Sequence, residues 1–383
     1  MSGIEDLSDA QLERFQRHLG LAGFGPEAQQ KLLDARVLVV GAGGLGSPIL
    51  QYLGAAGVGH IEIVDDDVVD RSNLHRQVIH SEDNIGRYKT ESAARVVRGL
   101  NPEADVVEHR VRISSENALD LVRPVDLVID GSDNFLTRYV VSDAAEMVGK
   151  PVVYGAILRF EGQVGVFWSG HGPTYRDLFP EAPGPGEVPS CAEAGVIGVL
   201  PGVIGTLMAT EAIKVIAGVG EPLLGRVLVY DALAATFQEL RLAPDPDRPR
   251  VTTVAADLVE PAAGPACAAA EEPEPTVPEG EITPDRLRTL LAEGRGVTLV
   301  DVRDVWENRL GAIAGAENIP LGDIERDSGA EVGSRLDPET PAVLYCKSGA
   351  RSRKAMEVLS AARPDVDIRS LSGGYDRWAS SGA

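Results

Sequence analysis

The sequence predicts an α/β fold: a mixed open sheet in a large N-terminal unit, followed by a smaller α/β unit. Three observations carry this. Val37 to Ser47, VLVVGAGGLGS, runs from a short apolar strand through a glycine turn into an apolar helix. Short apolar runs ending in acids recur at His60 to Asp67 and at Val125 to Asp130, with helical patterns between them. A second strand, loop and helix, AVLYCKSGARSRKAMEVL, lies beyond a Pro/Ala-rich stretch near the C-terminus.

The N-terminal residues 4–34 read as helical and amphipathic, with Leu12, Phe15, Leu19 and Leu32 apolar and Ser8 or Asp9 as N-cap. Arg14 and Arg17 sit on this arm. The glycine turn then brings backbone N–H groups to a helix N-terminus, an arrangement suited to phosphate, although an ordinary tight turn has the same composition. The strand His60 to Val64 ends in Asp65, Asp66 and Asp67, and Asp65 follows Gly41 by 24 residues. That spacing suits an acid on a ribose hydroxyl; loop acids are the plainer reading. Next come VVDRSNLHRQVIH, a helix starting near Lys89, a strand bracketed by Val106 and Val111, and VDLVID running into GSDN with Asp133 and Asn134. Several of these polar residues fall where strands end, the edge at which open α/β sheets bind ligands. Cations with carboxylates there suit a triphosphate with Mg²⁺.

Beyond Pro151 the runs Val152 to Tyr154, Gly162 to Trp168 and Val227 to Tyr230 extend the sheet with antiparallel members. Residues 170–192 form a Gly/Pro-rich loop holding Cys191. That cysteine reads equally as a small buried residue or as a nucleophile beside an apolar helix. A buried helix covers 204–217. Residues 243–280 hold eight of the 25 prolines and read as a linker, in which Cys267 is given no role. In the C-terminal unit Cys346 opens a loop with Lys347, Gly349 and Arg351 around it. A strand-end thiolate there is favoured by loop N–H dipoles and cations.

The formal charge of −22 over 383 residues disfavours nucleic acid and anionic membrane surfaces as partners. Three scattered cysteines make no disulfide framework, and the chain opens on polar residues with no apolar run read as bilayer-spanning. A reducing cytoplasm is the expected setting.

Together the motifs GAGGLGS, IVDDD, RSNLHRQ, GRYK, DGSDN, RFEGQV and PSCAEAG make residues 1–245 resemble the bacterial adenylyltransferases that activate ubiquitin-like sulfur carriers. These are the molybdopterin-synthase and thiamine-type activating enzymes, simpler relatives of ubiquitin-activating enzymes. LVDVRD, GAENIP, CKSGARS and LSGGYDRW make residues 281–383 resemble a single rhodanese domain, with 246–280 as linker. The order is that of fused adenylyltransferase–sulfurtransferases of the actinobacterial type. The resemblance implies a Rossmann-like mixed sheet holding ATP rather than NAD. Gly44 and Asp65 would contact the nucleotide, within a site including Ser72, Asn73, Leu74, His75 and Arg76. Asn73, Arg76 and Lys89 would meet phosphates, and Asp133, beside Asn134, would hold Mg²⁺. Arg17 matches an arginine that reaches a neighbouring subunit's site, which implies a homodimer; Arg14 is the weaker candidate. Cys346 matches the persulfide cysteine and Cys191 the family's loop cysteine.

Many relatives bind structural zinc through two Cys-x-x-Cys pairs. Here the first place reads Thr174-Tyr175-Arg176-Asp177 and the second, near Pro246 to Arg250, has no cysteine, so no zinc is expected. A His common in rhodanese domains is replaced by Ala312. The implied chemistry is adenylation of a carrier's C-terminal Gly-Gly, then sulfur transfer from a Cys346 persulfide to give a thiocarboxylate. The sulfur donor is open between thiosulfate and a cysteine desulfurase, and the pathway between molybdopterin, cysteine, thiamine and sulfur-containing natural products. A linker of about 20 flexible residues has an r.m.s. span of roughly 25 Å, which permits the two sites to meet. The competing reading is an NAD-dependent oxidoreductase fused to a regulatory rhodanese-like module. It leaves RSNLHRQ, DGSDN and Lys89 without a use.

Overall fold

The computed structural model describes residues 7–182, 195–254, 280–294 and 296–380. Cys191 and Cys267 lie outside the described residues. The chain divides into two compact units, Met1–Glu260 and Pro261–Ala383.

The first unit is built on strands β1 (Arg36–Val40), β2 (His60–Val64), β3 (Asp105–His109), β4 (Leu127–Asp130), β5 (Val152–Leu158), β6 (Glu161–Phe167), β7 (Arg226–Asp231) and β8 (Thr236–Arg241). They form one sheet in the order β3-β2-β1-β4-β5-β6-β7-β8. The strands through β5 pair in parallel, and β5 to β8 continue as an antiparallel meander. The central strands are apolar throughout because both faces are covered. Val37 and Val39 pack under helices Gly46–Ala56 and Leu200–Ala217, while Leu38 and Val40 pack against helix Phe135–Val148. Truncating a fully buried residue here, such as Leu53→Ala, is expected to cost about 3 kcal/mol.

Three differences from the sequence reading have local causes. The N-terminal arm is two helices, Asp9–Leu19 and Gly25–Asp34, because Gly23 and Gly25 take positive φ between them. The third strand stops at His109, where Asp65 N–H takes its carbonyl. Helix Leu200–Ala217 is long and apolar enough, by length and composition, to cross a membrane. It is a core helix: Leu200, Ile204, Met208 and Ala212 are buried against the sheet.

Residues 246–254, read above as the start of the linker, run against this unit. The Val251 N–H donates to Glu146, and Val254 is buried in the core beside helix Phe135–Val148.

The second unit holds β9 (Glu281–Ile282), β10 (Thr298–Asp301), β11 (Glu317–Asn318), β12 (Ala342–Tyr345) and β13 (Ile368–Leu371). All pair in parallel, in the order β11-β10-β12-β13-β9. Helix Ala350–Ala362 follows the central strand β12 and packs Ala355 and Leu359 into the core.

Candidate active sites

In the first unit the ends of β2, β1 and β4 lie side by side. Val40 pairs with Val64 and with Asp130, so Gly41, Asp65 and Gly131 leave the sheet together. Gly41 N–H donates to the Val64 carbonyl at 2.8 Å, and Gly131 N–H to the Val40 carbonyl at 2.9 Å. Gly41 takes φ +90°, and a Cβ at Gly46 would sit 2.1 Å from its carbonyl oxygen. Only glycine lets the turn fold this tightly onto the helix start.

Ala42 is pinned from both sides. Its N–H donates to Asp65 Oδ2 at 2.8 Å, and its carbonyl accepts from His80 Nε2 at 2.9 Å. Burial, with Lys89 nearby, pushes the His80 imidazole below its ordinary range, although the bond to the Ala42 carbonyl opposes this. Burial raises the Asp65 carboxyl, although Lys89 and the Ala42 and Asp67 N–H groups oppose it. The Lys89 side chain is itself buried, and its Nζ reaches Asp67 Oδ2 at 2.7 Å.

Residues 70–74 make a tight turn in which Asp70 accepts from the Ser72 N–H and hydroxyl. Leu74 and Asn73 are half-buried, and Ser72 and His75 are exposed. Arg76 donates to the Ser72 carbonyl at 3.0 Å and lies beside Gly44. Gln77 is buried next to Gly43, with Oε1 lacking a hydrogen-bond partner among the described residues. Beyond β4, Asn134 caps helix Phe135–Val148 by accepting from the Thr137 N–H at 2.8 Å, and Asp133 is exposed just before it. The structure thus gathers Gly44, Asp65, Arg76 and Lys89 around the turn, and sets Asp133 and Asn134 on the adjoining strand end. Arg17 is exposed on the first helix, away from these contacts, whereas Arg14 donates to the Leu100 carbonyl.

The sequence reading missed His80, Asp130 and Arg138, and noted Gln77 only as a polar neighbour of Asn73 and Arg76. Gln77 and His80 stand in the VVDRSNLHRQVIH segment, but only the fold turns them inward under the glycine turn. Asp130 and Arg138 are buried polar residues that strand and helix patterns render as plain core.

In the second unit Cys346 is buried at the end of β12, and its Sγ accepts from the Gly349 N–H at 3.1 Å. Gly349 takes φ +109° and stands as N-cap of the following helix. Arg351 forms a paired bond with Glu307, at 2.6 and 2.7 Å, which braces the loop. The sulfur thus accepts from one loop N–H and lies 3.6 Å from the Ser352 hydroxyl, with the exposed Lys347 next in sequence.

The place of the absent cysteine pairs holds a set of ion pairs. Arg176 binds Asp143 at 2.6 and 2.9 Å, and Arg248 binds Asp177 at 3.0 Å and Glu146 at 3.1 Å. Asp177 also accepts from the Thr174 and Asp245 N–H groups. These contacts tie residues 174–177 and 245–251 to helix Phe135–Val148. They offer no thiolate for zinc. Arg248→Ala strands two nearly buried carboxylates and is expected to cost about 3 kcal/mol, read from urea unfolding of the full chain. Burial pushes the Asp177 carboxyl up, but the two N–H groups and Arg248 outweigh it and hold it below its usual 3.8. The clasp's contribution is thus complete above that value and is lost as pH falls through the lower, folded-state value.

A glycine-turn nucleotide site on a mixed sheet, followed by a cysteine in a donor-lined loop, defines a two-unit protein of nucleotide and sulfur chemistry. The ThiF family model matches residues 15–250 and the rhodanese-like domain model residues 283–381. The chain belongs to the ThiF family, in the form that joins an adenylyltransferase to a sulfurtransferase. It is 46% identical over 378 residues to a probable adenylyltransferase/sulfurtransferase MoeZ of Mycobacterium tuberculosis, covering 97% of this chain and 94% of that protein. It is 53% identical over 244 residues to a sulfur carrier protein adenylyltransferase of Thermus thermophilus, covering 62% of this chain and 90% of that one. The crystal structure of Escherichia coli MccB with MccA-N7isoASN aligns with a TM-score of 0.56 at 22% identity, covering 62% of this chain and 74% of that one. That likeness bears on the fold.

Proposed function

We propose that the protein adenylates the C-terminal glycine of a ubiquitin-like sulfur carrier with ATP and then converts it to a thiocarboxylate. The observation that carries this is the meeting of the glycine turn, Asp65, the buried Lys89 and Arg76 at one sheet edge. The names of the Thermus thermophilus and Mycobacterium tuberculosis relatives support the carrier and the two reactions. The cradle fits a nucleotide: the turn packs too tightly for a Cβ at Gly46, which would strike the Gly41 carbonyl, and Gln77, whose Nε2 lies nearest Gly43, leaves its buried Oε1 without a hydrogen-bond partner among the described residues.

Asp65 takes the ribose, while Asn73, Arg76 and Lys89 take phosphates. Ser72, Leu74 and His75 shape the segment between them. Asp133, with Asn134 beside it, would hold Mg²⁺, and the ion would supply charge neutralisation at the phosphates. The carrier carboxylate attacks the α-phosphorus and pyrophosphate leaves. No general base is required, so the site works by positioning and charge neutralisation.

In the second step the terminal sulfur of a Cys346 persulfide attacks the carrier carbonyl and AMP leaves, giving an acyl disulfide. A second thiolate, Cys191 in our reading, attacks Sγ of Cys346, releasing the carrier thiocarboxylate and leaving a disulfide for an external thiol to reduce. Thioester formation with the carrier and a merely accessory part are the alternative roles for Cys191. The donor that loads Cys346 is thiosulfate or a cysteine desulfurase.

The test is ATP–pyrophosphate exchange with each diglycine-tailed carrier, with thiocarboxylate weighed by mass spectrometry. Exchange with no carrier would overturn the reading. A homodimer in which Arg17 serves the neighbouring site makes a further prediction. Arg17→Ala and Asp133→Ala proteins are each nearly inactive in exchange, and mixing them restores up to about a quarter of wild-type activity, because one hybrid site in two carries both intact residues. Failure of the mixture to exceed its parents would remove the shared site.

A further inference from the structure

The loop that carries Asp133 rests on two buried charged residues. Asp130, at the end of β4, is buried, and its Oδ1 accepts from the Ser132 N–H at 3.0 Å and the Ser132 hydroxyl at 2.6 Å. Arg138 is also buried, one turn into the following helix, and its Nη2 donates to the Ser132 carbonyl at 3.3 Å. Its guanidinium lies 5.1 Å from the Phe135 ring and 5.8 Å from the Tyr154 ring. Its Nε is buried without a hydrogen-bond partner among the described residues.

Asp130 and Arg138 attract each other and Arg138 also meets the Tyr175 hydroxyl, but for stability alone the pair remains a costly choice. Charged groups lose much hydration on burial, and apolar residues of similar volume often stabilise as well or better. An unpaired Nε adds to that penalty. What the two residues do achieve is to hold Ser132 from opposite sides. Gly131 is already tied to Val40, and Asn134 to Thr137. Asp133 is therefore the one exposed side chain between backbone positions fixed on both flanks.

We infer that Asp130 and Arg138 are positioning residues that grip Ser132 and so aim the Asp133 carboxylate at the metal-bearing phosphates. The inference rests on the reading of Asp133 as the metal acid. It gives the buried pair a role in metal affinity that neither residue performs by contact. The nucleotide itself, held by the glycine turn and Asp65 on the other side of β1, is untouched by it.

The test titrates Mn²⁺ into the full-length protein saturated with a non-hydrolysable ATP analogue, following free Mn²⁺ by electron paramagnetic resonance. Arg138→Met should weaken Mn²⁺ binding by about tenfold or more, as loss of groups that orient metal ligands commonly does. Analogue binding in EDTA should stay within about twofold of wild type on the same reasoning. Arg138→Lys, which keeps a donor for the Ser132 carbonyl, should recover part of the loss, and Ser132→Ala, which removes one bond of the grip, should fall between. Unchanged Mn²⁺ affinity in Arg138→Met overturns the inference. So does an equal loss of metal and metal-free nucleotide binding, which would mark a general loosening. If Arg138→Met does not fold, Ser132→Ala decides alone by the same two measurements. A wild-type protein that binds no metal–nucleotide complex overturns the metal reading of Asp133 along with the inference. A wild type that binds it, with unaffected variants, overturns the inference alone.

Discussion

Cys346→Ala abolishes thiocarboxylate formation and leaves carrier-dependent ATP–pyrophosphate exchange at the wild-type rate. Two features of the structure separate these outcomes. Cys346 belongs to a unit with its own sheet and core, so its replacement leaves the core of the first unit as it is. Its Sγ is the acceptor of the Gly349 N–H, and alanine removes that sulfur while leaving the loop braced by Arg351 and Glu307. Thiocarboxylate mass should fall below detection with either donor, a drop of at least about 10³ in rate, the scale on which losing a nucleophile acts. Exchange that needs Cys346 would refute the division of labour between the units. Retained thiocarboxylate would mean that free sulfide attacks the adenylate directly.

The complementary result comes from Asp133→Ala. Exchange should fall by about 10²–10³, the range seen when one preorganised electrostatic contact to a reacting centre is removed. Sulfur loading of Cys346 from thiosulfate should be unaffected. Raising Mg²⁺ should recover little of the lost rate, since the variant lacks the ligand rather than a group that orients it. Asp133 is exposed and Asn134 retains its cap on the Thr137 N–H, so the fold should tolerate the change and unfold at the same urea midpoint. An Asp133→Ala protein with wild-type exchange would remove Asp133 from the site.

Much of this was legible beforehand because strand ends are marked twice, by an apolar run and by the polar residues that follow it. VLVV-GAGG, IEIV-DDD and LVID-GSDN each announce where a strand stops and what stands there, and AVLY-CKSG does the same in the second unit. The edge strand β8 was not legible, since Thr236–Arg241 is exposed along its length and carries no buried face to create a pattern. The two-residue strands β9 and β11 are too short to show one. Neither Asp130 nor Arg138 could be assigned from the sequence. An acid at a strand end and an arginine in a helix look the same whether they face solvent or the interior, and only the packing of Tyr154 and Phe135 around the guanidinium decides.

The ion pairs joining Arg248 and Arg176 to their carboxylates have a chemical consequence for an enzyme that handles sulfane sulfur. Zinc thiolates are sulfur nucleophiles, and a clasp built from them would be open to oxidation. Carboxylates and guanidinium groups are inert to persulfide, polysulfide and peroxide alike. The first unit thus keeps its C-terminal segment in place with groups that cannot divert the cargo. Cys191 is the one thiol left in residues 1–260. Chelators should leave the clasp intact, and salt should screen it little because its carboxylates are buried.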